Sequence, residues 1–159
     1  MSNPANEKAN AVYATMCSYF ERSGYEYQKY DDQMTITFEG KQTDVPMPSF
    51  IFVFPENELI CCNTVIPVGF SKHDRYVAAA AANMANSRII DGIFEYSMRL
   101  DRISYRDFCS YTDREIPEAI ISYLVNCSLQ TVDVINDKIK DLAEEKIDLE
   151  DFWNFINGL

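Results

Sequence analysis

The chain reads as one α+β fold: an antiparallel sheet with helices, in the order α-β-β-β(-β)-α-β-β-α, closed by a short C-terminal helix. Three observations predict it. Segments between residues 25 and 66, and again between 93 and 111, alternate or run apolar over short lengths, as strands do. Short turns join most of them, which makes neighbouring strands antiparallel. The flanking segments repeat apolar residues at helical spacing, and such helices must cover a sheet face. Apolar residues are 47% of the 159, with ten Tyr and ten Phe, enough for a core of ordinary size.

The first helix spans Pro4 to Ser23. Asn3 caps it, Pro4 suits its first turn and Gly24 ends it. Its apolar stripe is Val12, Met16, Tyr19 and Phe20. "YEYQKY" (Tyr25 to Tyr30) is a strand that runs into the turn "DDQ". "MTITFEG" places Met34, Ile36 and Phe38 on one face, with Thr35, Thr37 and Glu39 on the other. A loop with two prolines leads to "FIFVF" (Phe50 to Phe54). That run is apolar on both faces and should lie deep in the sheet. "LICCNTVI" returns to Pro67 after the turn "PENE".

Ser71 and Asp74 resemble a capping box for a helix from about Lys72 to Arg88, broken by Asp91 and Gly92. Within it lies "YVAAAAANMANSRII", where only Asn83 is polar between Tyr76 and Ala85. A surface helix should show one wet face; this one should be covered on a second side. Ile93 to Leu100 and Ile103 to Tyr111 read as a hairpin turning at Asp101 and Arg102. Thr112 or Asp113 caps a long helix to about Glu145, with Pro117 in its first turn. Its stripe is Ile116, Ile120, Leu124, Cys127, Thr131, Val134, Ile135 and Leu142. A last helix starts at Asp148 or Leu149 and stops at Gly158. The chain divides into a domain of residues 1–145 and an aromatic helical tail, 146–159.

The net charge of −11 repels nucleic acid and anionic membranes, and no basic patch overrides it. Arg99, Arg102 and Arg106 are interleaved with Asp101 and Asp107. Such a surface suits solubility, or a basic partner. No apolar run reaches the roughly 20 residues that span a bilayer. No signal peptide is visible at the N-terminus. The five cysteines include no C-x-x-C pair, and a reduced, cytoplasmic protein is expected.

No catalytic chemistry is visible. His73 is the sole histidine, too close to Ser71 and Asp74 in sequence for a triad. One histidine leaves too few ligands for a usual zinc site. Cys61 and Cys62 are adjacent in a strand, point to opposite faces and read as small buried hydrophobes. Asp31 and Asp32 are turn residues without calcium-loop spacing. No glycine-rich phosphate loop occurs. No cofactor and no metal are expected.

"MANSRIIDGIFEYSMRLDRISYRDF" resembles the second half of YbjN-like domains, which share the fold of the type III secretion chaperones. The resembling features are Asn86 near the end of the second helix, then "GIFEY", a turn, and the aromatic "ISYRDF" strand. "YFERSGYEYQKYDDQMTITFEG" and "FIFVFPENELICCNTVIPV" agree in outline, so the resemblance covers about Val12 to Lys138. It implies a usually dimeric domain without catalytic residues that binds proteins or peptides, as a chaperone or a regulator. It places a dimer interface on the second helix and the strand after it. The expected interface residues are Ala78, Ala81, Ala82, Ala85, Phe94 and Tyr96. The tail, outside the common pattern, adds Phe152, Trp153 and Ile156.

Other readings stand beside this one. The alanine helix can pack between the sheet and the N-terminal helix of its own chain. The tail, with Leu149, Phe152, Trp153 and Ile156 on one helical face, can lie in a partner's groove as a monomeric adaptor, or complete its own core. An enzyme with an unseen pocket would use Tyr, Glu or Cys as acid, base or nucleophile; Cys17 and Cys109 are the candidate thiols, and nothing in the sequence places a base next to either.

Overall fold

The computed structural model describes residues 4–40, 45–70 and 74–159. The elements are α1 (Pro4–Ser23), β1 (Tyr27–Tyr30), β2 (Thr35–Glu39), β3 (Pro48–Phe54), β4 (Leu59–Ile66), α2 (Arg75–Asn86), β5 (Ile93–Ser97), β6 (Arg102–Ser110), α3 (Glu118–Ala143) and α4 (Leu149–Asn157). All strand pairs are antiparallel, in the order β1-β2-β3-β4-β6-β5. The expected α+β architecture is the observed one.

Cross-strand register sorts the side chains onto two faces. One carries Ile36, Phe38, Ile51, Val53, Ile60, Cys62, Ile66, Ile103 and Tyr105, all buried. The described helices cover this side. α1 delivers Phe20 onto Phe38, ring centroids 4.9 Å apart. α3 is tied to the sheet by a buried hydroxyl chain: Ser49 Oγ lies 3.0 Å from Thr64 Oγ1, which lies 2.6 Å from Ser128 Oγ. Each hydroxyl can donate to one neighbour and accept from another, so the chain satisfies groups that burial would otherwise penalise.

Several expected boundaries shift, each for a local reason. The Ser71 capping residue and His73 lie outside the described residues; α2 starts at Arg75 behind Asp74. The hairpin turn is wider than two residues. Asp101 N–H donates to the Ser97 carbonyl at 2.8 Å, and Asp101 takes a left-handed φ of 50°, which leaves Met98 and Leu100 outside the strands and exposed. The long helix starts not at Thr112 but at Glu118, because proline disfavours helical geometry at Ile116 and Pro117 is itself the extended cap.

The stripe of that helix is rotated from the expected one. Ile121, Leu124, Val125, Ser128, Leu129, Val132, Ile135, Ile139 and Leu142 are buried, while Val134 is 53% exposed and Ile120, Cys127 and Thr131 are half-buried. Contacts with the sheet, α1 and α4 along one helix set this phase, which periodicity alone does not. Asp31 and Asp32 sit in a single 3-10 turn as expected, and Tyr13 Oη donates to Asp31 at 2.8 Å.

Candidate functional site

The alanine helix is covered on its second side by the chain's own C-terminus. α2 packs on β5 and β6 with one flank and on α4 with another. Ala78, Ala81, Ala82 and Ala85 are all buried within the single chain, as are Phe94, Phe152 and Ile156. Small side chains let α4 approach closely. The cover is α4, not the N-terminal helix. α4 is fixed by a reciprocal capping box: Asp151 N–H donates to the Asp148 carboxylate at 2.9 Å, and Asp148 N–H to Asp151 at 3.4 Å. The tail therefore completes its own core and is no free amphipathic helix. Of the expected interface residues only Tyr96, half-buried, and Trp153, 39% exposed, keep accessible surface.

Beyond those alanines, α2 turns Tyr76, Ala79, Asn83 and Ser87 outward, at helical spacing. Tyr76 is 86% exposed. Beside this stripe a shallow recess of about 480 Å³ is lined by Asn83, Met84, Ser87, Leu149, Glu150 and Trp153. This outer shell of α2 and α4 is the first candidate surface.

The edge strand beside it is capped at one residue by a side chain. Phe94 N–H donates to Asn86 Oδ1 at 2.7 Å, and Asn86 Nδ2 donates to the Phe94 carbonyl at 2.9 Å. Gly92 enters the strand at φ 71°; a Cβ there would stand 2.8 Å from the Arg106 carbonyl, so only glycine fits.

The second candidate surface is the other face of the sheet, on which no described helix lies. A continuous row crosses all six strands: Gln28, Thr37, Phe50, Asn63, Arg106 and Ile93. The adjoining row is Tyr30, Thr35, Phe52, Cys61 and Phe108, and Phe54 flanks it. "FIFVF" is thus interior to the sheet but covered on one side only. An antiparallel sheet that faces water is ordinarily polar there. This face is aromatic: Tyr30, Phe54, Phe108 and Ile93 are each 39–47% exposed. Phe52 and Phe54 stack edge-on with centroids 4.7 Å apart. Glu95 pairs with Arg106 on the same face. Asn63 Oδ1 and Arg106 Nε are buried there without a hydrogen-bond partner among the described residues. The sequence signal was present in the double-faced apolarity of β3, but it read as depth rather than as a surface.

Neither candidate thiol, Cys17 or Cys109, is activated. Burial pushes Cys17 and Cys109 above the ordinary thiol range and holds Cys61 up at about 12. Cys61 and Cys62 face opposite sides of β4, both buried and unbridged. Among the described residues no group of His, Cys, Asp and Glu is placed to hold a metal ion. None of the described helices is long and apolar enough to cross a membrane.

No family model matches the chain, and no curated protein does. Solved structures do. YbjN from E. coli, a candidate transcription regulator, aligns with TM-score 0.61 at 13% identity over 86% of this chain and 94% of its own. A chain of the ExsC–ExsE complex aligns with TM-score 0.60 at 9% identity over 81% of this chain and 93% of that one. At such identities the likeness is one of fold. The protein shares its α+β fold with YbjN and with the ExsC–ExsE structure, the architecture that the "NSRIIDGIFEY" resemblance implied.

Proposed function

We propose that this chain is a protein-binding domain of chaperone-like or regulatory kind rather than an enzyme, working as a homodimer in the cytoplasm. The observation that carries the dimer is the outward stripe of α2. Tyr76, Ala79, Asn83 and Ser87, with the recess beside Trp153, form a mildly apolar patch of small side chains around one exposed aromatic ring. Two copies related by a two-fold axis can cross such helices at close range. The dimer is argued on this outward stripe, because the alanines first expected at the contact are already covered by α4. Partner binding is supported by the fold shared with a chain that belongs to a protein–protein complex. The free cysteines suit a reducing compartment.

Light scattering on the purified protein at tens of micromolar tests the dimer. A dimer is expected for the natural sequence, and a monomer for Ala79→Arg with unchanged circular dichroism. A monomeric natural protein overturns the dimer reading.

A further inference from the structure

The open face of the sheet lies on the opposite side from α2 and from the proposed dimer contact. We infer that this face docks a basic, apolar segment of a partner protein, with the partner's alternate apolar side chains on the phenylalanine rows and a lysine or arginine in an acidic recess at their end. The inference rests on the protein-binding reading and names the chemistry of the partner.

The recess is carved where β1, β2 and β3 begin or end. It measures about 530 Å³, with Glu26, Gln28, Thr37, Glu39, Pro48 and Phe50 along its open-face wall. Glu39 lies on the open face because it alternates with Phe38, and Glu26 continues the alternation of β1. Both acids are exposed, and neither has an ion-pair partner among the described residues. A cation set between them also meets the ring of Phe50, which adds a cation–π attraction.

From that recess the apolar rows run diagonally over Phe50, Phe52 and Phe54 to Phe108. Three of these rings sit on one strand at every second position, the spacing at which an extended or helical segment can engage them in turn. Beneath them Asn63 Oδ1 and Arg106 Nε are buried and make no hydrogen bond among the described residues; Asn63 is 8% exposed.

Charge selects the class of occupant. At −11 the chain repels nucleic acid and anionic lipid. A second copy carries the same net charge of −11 and is repelled at long range. A basic protein segment meets both features at once.

The test uses the full chain and a fluorescein-labelled synthetic peptide of alternating leucine and lysine, followed by fluorescence anisotropy at physiological ionic strength. The same peptide with glutamate for lysine is the counter-probe. The lysine peptide is expected to bind and the glutamate peptide not. E26Q/E39Q should weaken binding roughly tenfold, or about 1.4 kcal/mol, whereas E115Q/E145Q, the same charge change elsewhere, should leave it within about twofold. F54S/F108S should weaken it by a similar tenfold, with circular dichroism and melting unchanged. Equal loss in both glutamine pairs, or no loss in either, overturns the inference. So does a change of oligomeric state in F54S/F108S, which would make this face a contact between copies. A monomeric natural protein that still binds the lysine peptide through Glu26 and Glu39 refutes the dimer and leaves this inference standing.

Discussion

Asn86 pairs with Phe94 as one peptide group pairs with another: its carboxamide accepts from Phe94 N–H at 2.7 Å and donates to the Phe94 carbonyl at 2.9 Å. β5 has a single strand neighbour, β6. Its outward main-chain groups would otherwise be a template for another chain's strand. The last residue of α2 thus caps the edge of the sheet at Phe94 and fixes the helix against it at the same time.

Removal of that carboxamide has a defined cost. Asn86→Ala is expected to lose about 2 kcal/mol of stability, two hydrogen bonds at about 1 kcal/mol each. Asn86→Asp keeps the acceptor for Phe94 N–H but sets a carboxylate against the Phe94 carbonyl, so it should do no better. Urea unfolding with an unchanged slope measures both. A loss under about 0.5 kcal/mol for Asn86→Ala would show that the edge is closed by something else.

The neighbouring residues of α4 differ sharply in what they touch. Phe152 is fully buried between α2 and α3, while Trp153 is 39% exposed beside Met84. Phe152→Ala should cost about 3–5 kcal/mol, as large-to-small changes in a core do. Trp153→Ala should cost under about 1 kcal/mol despite the larger side chain. Thermal melting of the two variants checks the order, and a reversed order would mean that α4 docks in another rotation.

Asp107 gives the fold a pH dependence. Its residue is 5% exposed on the helix-covered face; Oδ1 accepts from Phe108 N–H at 2.8 Å, and Oδ2 has no partner among the described residues. Burial raises its carboxyl above the ordinary range, and Asp91 adds to the rise against the lowering bond from Phe108. A carboxyl whose folded pKa is raised binds its proton more tightly in the folded state. It therefore favours folding below its unfolded pKa of about 3.9. That advantage is lost as pH climbs through the folded value, and no more is lost above it. Asp107→Asn keeps the Phe108 bond and removes the charge. The variant should exceed the natural protein at pH 7 by on the order of 1 kcal/mol, and the gap should close on acidification to about pH 4. Urea midpoints across pH measure it; a gap that widens in acid would contradict this sign.

Much of the architecture was legible before any contact was known. The helical stripe of Val12, Met16 and Phe20, the alternation of Ile36 and Phe38, and the break at Asp91 and Gly92 are consequences of local spacing and backbone freedom. Asn86 stood out by position in the resemblance, but its role needed Phe94 beside it. The alanine run announced that α2 is covered twice; it did not say that the cover is a helix more than sixty residues later. Pro117 marked a boundary that the apolar periodicity around Ile116 concealed.

The sequence by itself determined the order of elements, the antiparallel sheet and the acidity of the chain. The tertiary structure decided which apolar faces found a partner. Periodicity assigns a side chain to a face, because it depends only on the helix or strand repeat. Whether that face is buried depends on contacts between distant segments. Those contacts closed α4 over Ala78 and Ala82 and left Phe50, Phe52 and Phe54 on a sheet face that no described helix covers.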